Sequence, residues 1–155
     1  MTHYAGGQGE ILARFAVECG GGELRDMPTA YETEEIEKVK AAWISALRAG
    51  DVGRLLGMVT DDVVAMHPNG KTTQGKQELA EDFRRFFAKF RMDQTAISEE
   101  TVVAGEWAFD RARVSTKVTP IAGGEPSQVN SEVIVILRRD ADGFWKLARS
   151  IAVIR

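Results

Sequence analysis

Four long stretches, over about 94–104, 107–119, 127–139 and 144–154, follow one another with only short turns between them. Gly105-Glu106 makes the first turn. Pro120, Gly123, Gly124 and Pro126 mark the second, and residues 140–143 make the third. Strands joined this closely run antiparallel, because a parallel pair needs a crossover of a dozen or more residues. The second half of the chain is thereby committed to an antiparallel meander. One face of such a sheet has to be covered, and the cover has to come from the first half.

That first half is helical in pattern. Over about 33–49, Ile36, Val39, Trp43, Ala46 and Leu47 recur at helical spacing. Thr33 is the expected cap, Glu34 and Glu35 suit the positive end, and Gly50 suits the stop. Asp51 is expected to cap a second, short helix carrying Leu55, Leu56 and Val59. Residues 63–67 read as a strand ended by Pro68, and Asn69-Gly70 is a tight-turn pair. A third helix is expected over about 76–90, with Leu79, Phe83, Phe86, Phe87 and Phe90 as its apolar stripe. Helices first and a meander afterwards predict an α+β fold, with helices gathered on one face of a curved sheet. Residues 1–32 read differently, as a Gly-rich extension able to carry one short helix through Ile11, Leu12, Phe15 and Cys19. Met27 could be an alternative start. Residues 33–155 form the single domain.

A chain of 155 residues suits one domain and can bury roughly 70% of its unfolded surface without disulfides or a metal. With 20 Lys+Arg against 23 Asp+Glu, it lacks the basic surplus of a nucleic-acid binder. One cysteine forms no internal disulfide, and with two histidines it is too little for a closed zinc site. The longest apolar run, 133–137, is far short of a membrane span. No signal peptide is read at the N-terminus, so a cytoplasmic location is expected. Gly70, Gly75 and Lys76 approach a phosphate-binding loop, but Gln77 stands where Ser or Thr must reach magnesium. No metal, nucleotide or flavin cofactor is implied.

His67 is the most informative single residue. It ends a strand before Pro68, and an imidazole serves as a general base near neutral pH without a large shift. The alternative is a half-buried histidine satisfied by one hydrogen bond. Trp43 lies on the apolar face of the first helix, where its one N–H donor needs a partner at a pocket edge or in the core. In the strand 107–119, Trp107, Phe109, Arg111, Arg113 and Ser115 share one face; Ala108, Asp110, Ala112, Val114 and Thr116 share the other.

The run Trp43-Ile44-Ser45-Ala46-Leu47-Arg48-Ala49-Gly50-Asp51, then Thr60-Asp61-Asp62-Val63-Val64, His67-Pro68-Asn69-Gly70 and Gly75-Lys76, resembles the nuclear transport factor 2-like superfamily. Trp107-Ala108-Phe109 and Asp142-Gly143-Phe144-Trp145-Lys146-Leu147 fit the same pattern, nearest to its SnoaL-like and ketosteroid-isomerase-like branches. The resemblance covers about residues 34–155. It implies a cone, also called a cystatin-like roll: a strongly bent antiparallel sheet closed by three N-terminal helices around an apolar pocket. It also implies a homodimer through the outer sheet face. By position, His67 falls where the isomerases keep the carboxylate that moves the proton, and Trp43 where they keep the tyrosine that donates to the substrate oxygen. Their second acid, on the third long strand, has no counterpart among Val133, Val135 and Leu137, and Glu132 is on the other face.

Alignment with the isomerases puts Phe109 and Arg111 inward, where Arg111 would grip an anionic or carbonyl-bearing ligand by two-point hydrogen bonding. With the other face inward, Asp110 becomes the carboxylate partner of His67. Met66 and Asn69 beside His67, with Phe83 and Phe87 from the third helix, complete the expected lining. The function expected is proton transfer on a small apolar or anionic ligand, of isomerase, cyclase or hydratase type. The alternative is a non-catalytic ligand-binding or association domain. Epoxide hydrolysis ranks third, because Asp62, Asp110 and Arg111 do not obviously converge.

Overall fold

The computed structural model describes residues 30–155. The short helix read around Ile11–Cys19 and the start read at Met27 lie outside the described residues. Helix α1 (Ala30–Ala49) and the short α2 (Val52–Gly57) lead into strands β1 (Val59–Met66) and β2 (Thr72–Gln74). Helix α3 (Lys76–Phe87) follows, then the meander β3 (Phe90–Ala104), β4 (Trp107–Pro120), β5 (Ser127–Arg139) and β6 (Trp145–Ile154). Among the described residues two helices therefore precede the sheet, and α3 enters between β2 and β3.

The differences from expectation lie at element ends. Helix α1 starts before Thr33, which sits inside the first turns and is not the cap. Asp51 does cap α2, its carboxylate accepting from the Arg54 N–H at 3.1 Å. Val59 is not helical. The Met58 carbonyl accepts from the Leu147 N–H at 2.9 Å, which draws the chain onto the sheet directly after α2. Phe90 likewise leaves the third helix to open β3, where it pairs with Pro120.

The six strands form one open, curved sheet in the order β2-β1-β6-β5-β4-β3. The meander is antiparallel throughout, but β1 lies parallel to β6, with Val64 opposite Arg149. Pairing fixes which residues share a face. Ala108 and Leu137 are partners, and both pack with Ile36 of α1, so their parity faces the helices. Along that side run Thr101, Asp110, Val135, Ser150, Ala65 and Thr73 as one row across the sheet.

Three apolar clusters join helices to sheet. Ile36, Val103, Ala108, Leu137 and Trp145 close one end under α1. Ala46, Leu47, Leu55 and Phe87 lock the three helices together. Val59, Val63 and Leu79 tie β1 to α3. Trp43 and Phe83 touch both of the last two clusters. No helix among the described residues is long and apolar enough to cross a membrane.

Candidate functional site

The site begins with a hairpin. The His67 carbonyl accepts from the Gly70 N–H at 3.0 Å, and the His67 N–H donates to the Lys71 carbonyl at 2.9 Å. Gly70 takes φ +83, which an L side chain resists. Asn69 spends its side-chain oxygen on the Lys71 N–H at 2.9 Å and is exposed, so it shapes the turn and does not line a pocket. The hairpin's register puts Ala65 opposite Thr73 and Met66 opposite Thr72. Alternation then sets Ala65, His67, Lys71 and Thr73 on one side, toward α3, and Met66 on the other.

On the α3 side a connected network forms. His67 Nε2 lies 2.9 Å from Thr73 Oγ1, and the Thr73 hydroxyl donates to Asp82 Oδ2 at 2.7 Å. Asp82 Oδ1 accepts from Lys71 Nζ at 2.6 Å and from the Arg85 guanidinium. Thr73 is only 1% exposed. Burial pushes the Asp82 carboxyl up, but hydrogen bonds from Lys71, Thr73 and Arg85 outweigh it and hold the group down at about 2. His67 Nδ1 makes no hydrogen bond among the described residues. The same hairpin explains the false phosphate loop: the residues between Gly70 and Gly75 form β2 and pair with β1.

Trp43 and Phe83 lie between α1, α3 and β1. Their rings meet edge to face at 6.0 Å, and Phe83 stacks on Phe87 at 5.8 Å. Both Trp43 and Phe83 are half-buried, and the Trp43 indole N–H has no hydrogen-bond partner among the described residues. Phe87 is buried in the helix cluster beside Gly50 and is core.

Asp110 does face the helices. Its Oδ1 accepts from Ser98 Oγ at 2.7 Å and Thr101 Oγ1 at 2.8 Å, and Ser98 also meets Glu37 and Lys40 of α1. This is a second polar island, and it is not joined to His67. Asp110 sits on β4, and β6 and β5 lie between it and β1. His67 finds its carboxylate through Thr73, in Asp82.

The parity that turns Asp110 inward turns Phe109 and Arg111 outward. This corrects the placement drawn from the isomerase alignment. Ala108 and Ala112 are buried on the covered side, Ala108 against Ile36 of α1, and bulky Phe109 pairs with Ile136 on the far side. The Arg111 guanidinium is occupied there by Glu99 at 2.7 Å, Glu132 at 2.8 Å and Glu100 at 3.4 Å. Met66, 48% exposed, is also on the outer face, opposite Ile151. An outer hollow of about 520 Å³ is lined by Glu132, Ile134, Ile151, Val153, Ile154 and Arg155. Among the described residues no group of three or more His, Cys, Asp or Glu is arranged to hold a metal ion.

Sequence reasoning missed Thr73, Asp82, Ser98 and Lys40. A signal for Thr73 was present: the Asn69-Gly70 turn, once read as a hairpin, fixes which later residues share the side of His67. Asp82 carried none, since its approach depends on how α3 lies over the hairpin.

A family model described as a SnoaL-like domain matches residues 41–148. No curated protein matches the chain. Among solved structures, a conserved protein from Planctomyces limnophilus is similar at 29% identity and TM-score 0.76, over 82% of this chain and 100% of that one. A ketosteroid isomerase-like protein from Erwinia carotovora atroseptica is similar at 28% identity and TM-score 0.73, over 81% and 98%. A candidate dehydratase of the NTF2-like family from Streptomyces avermitilis shares the fold at 19% identity and TM-score 0.71, over 81% and 96%.

Proposed function

The chain belongs to the SnoaL-like domain family, within the NTF2-like superfamily, and on that premise we propose that it is a cofactor-independent acid/base enzyme. It moves a proton on a small apolar, carbonyl-bearing ligand, in a reaction of isomerase, cyclase or hydratase type. The observation that carries this reading is His67: one ring nitrogen is held by a buried hydroxyl, and the other makes no hydrogen bond among the described residues. An oriented imidazole with a spare nitrogen is what a general base requires. Trp43 supplies the donor for the ligand oxygen, its ring held by Phe83 and its N–H without a partner among the described residues. Phe83 offers apolar wall. Asp110, fixed by two hydroxyls, is the polar group farther along the same side of the sheet. Arg111 takes no part, which favours a neutral carbonyl ligand over an anion.

The test is exchange of α-protons for deuterium in D₂O, followed by NMR over a panel of cyclic ketones and enones. The protein is expected to accelerate exchange for at least one of them, and His67→Ala to lower that rate by roughly 10²–10⁴-fold. No acceleration over the whole panel, or an unchanged rate in His67→Ala, overturns the assignment.

The reading includes a homodimer through the outer sheet face. It is supported by the exposed apolar side chains Met66, Ile151 and Val153, with Ile134 beside them. The same surface is what favours the second reading, an association domain without chemistry.

A further inference from the structure

We propose that Thr73 and Asp82 are positioning residues that lock neutral His67 as its Nε2–H tautomer, which leaves Nδ1 as the atom that takes the proton. The argument is a count of hydrogens. The Asp82 carboxylate receives Lys71 and Arg85 on Oδ1, and these cations keep it ionised at neutral pH. An ionised carboxylate has no hydrogen to give. The 2.7 Å contact between Asp82 Oδ2 and Thr73 Oγ1 is therefore donated by Thr73. A threonine hydroxyl has one hydrogen, and that donation uses it. The 2.9 Å contact between Thr73 Oγ1 and His67 Nε2 then has to be donated by His67. Nε2 carries the hydrogen, and the lone pair of the neutral ring sits on Nδ1.

The order of the relay follows from charge. Lys71 and Arg85 set the state of Asp82, Asp82 sets the direction of the Thr73 hydroxyl, and Thr73 sets the tautomer of His67. The five groups come from four pieces of backbone: His67 directly after β1, Lys71 in the turn, Thr73 on β2, and Asp82 and Arg85 on α3. The hairpin and the helix thus have to dock before the ring is set. The tautomer stands on this geometry alone. Its use in proton transfer rests on the function proposed above.

The experiment is a long-range ¹H–¹⁵N correlation spectrum of the ¹⁵N-labelled protein, at a pH where His67 is neutral. The expected result is a pyrrole-type shift on His67 Nε2 and a pyridine-type shift on Nδ1. Thr73→Val removes the acceptor at little change in volume and is expected to give a mixed tautomer population. Thr73→Ser is expected to restore the original one. Asp82→Asn removes the charge that forbids the hydroxyl from turning round, and is expected to shift the ring toward Nδ1–H. With a ketone that the protein turns over, Thr73→Val is expected to lower kcat by roughly tenfold or more at little change in KM. A pyrrole-type Nδ1 in the unmodified protein, or a tautomer population unmoved by both Thr73→Val and Asp82→Asn, overturns the relay. The spectrum needs no substrate, so it separates failure of the relay from failure of the catalytic assignment.

Discussion

Asp82 carries the largest electrostatic commitment in the site. Its carboxyl is depressed to about 2 in the folded chain, against roughly 3.9 in an unfolded one. A depressed carboxyl favours folding above the unfolded value, and that contribution fades as pH falls through the folded value. Stability is therefore expected to drop between about pH 4 and pH 2, and urea titrations across that range should show a smaller drop in Asp82→Asn. An equal drop in both proteins would place the acid sensitivity elsewhere. Individual side chains were unevenly legible. His67 was readable from its own neighbours, because a strand end, a proline and a turn pair all point to one hairpin. Arg111 was misplaced because alternation names two faces without saying which is covered. The covered face is the one that carries Ala108, which packs under Ile36 of α1.

Elements were legible wherever the pattern was long. All four meander strands are found within a few residues of the expected bounds, because long alternation leaves no other structure. Ends were less legible: α2 gives up Val59 and α3 gives up Phe90 to sheet pairing, and tertiary hydrogen bonds override local periodicity there. The short helix α2 is too brief to stand by propensity and is held by Leu55, which is fully buried among Ala46, Leu47 and Phe87. Leu55→Ala is expected to cost about 2–5 kcal/mol, read as a lower urea midpoint at an unchanged slope. A loss under about 1 kcal/mol would mean that α2 hangs on its Asp51 cap and not on this contact.

At the scale of the molecule, the outer sheet face is the feature with consequences beyond one chain. Ile151 and Val153 alternate with Ser150 and Ala152, so adding charge there leaves the helix-covered side untouched. The protein is expected to run as a dimer in light scattering, and the double substitution Ile151→Asp, Val153→Asp as a folded monomer. A monomer before substitution, or a dimer after it, sinks the outer-face interface. The parallel pairing of β1 with β6 was the one topological fact that no local pattern announced. Strand identity is written in neighbouring residues, whereas partnership between distant strands is decided by how the whole sheet assembles.

That pairing also sets a timetable. Among the described elements, α1, α2 and the β1–β2 hairpin are made before the meander, yet the neighbour that seats β1 is β6, the last of them. A lone hairpin is marginal in water. Ile36 can rest on Val103 of β3 and Ala108 of β4 before then, whereas Val59 of β1 waits for Leu147 of β6. The β1 edge of the sheet is therefore expected to be seated only once β6 has been made, later than the contacts of α1 with β3 and β4.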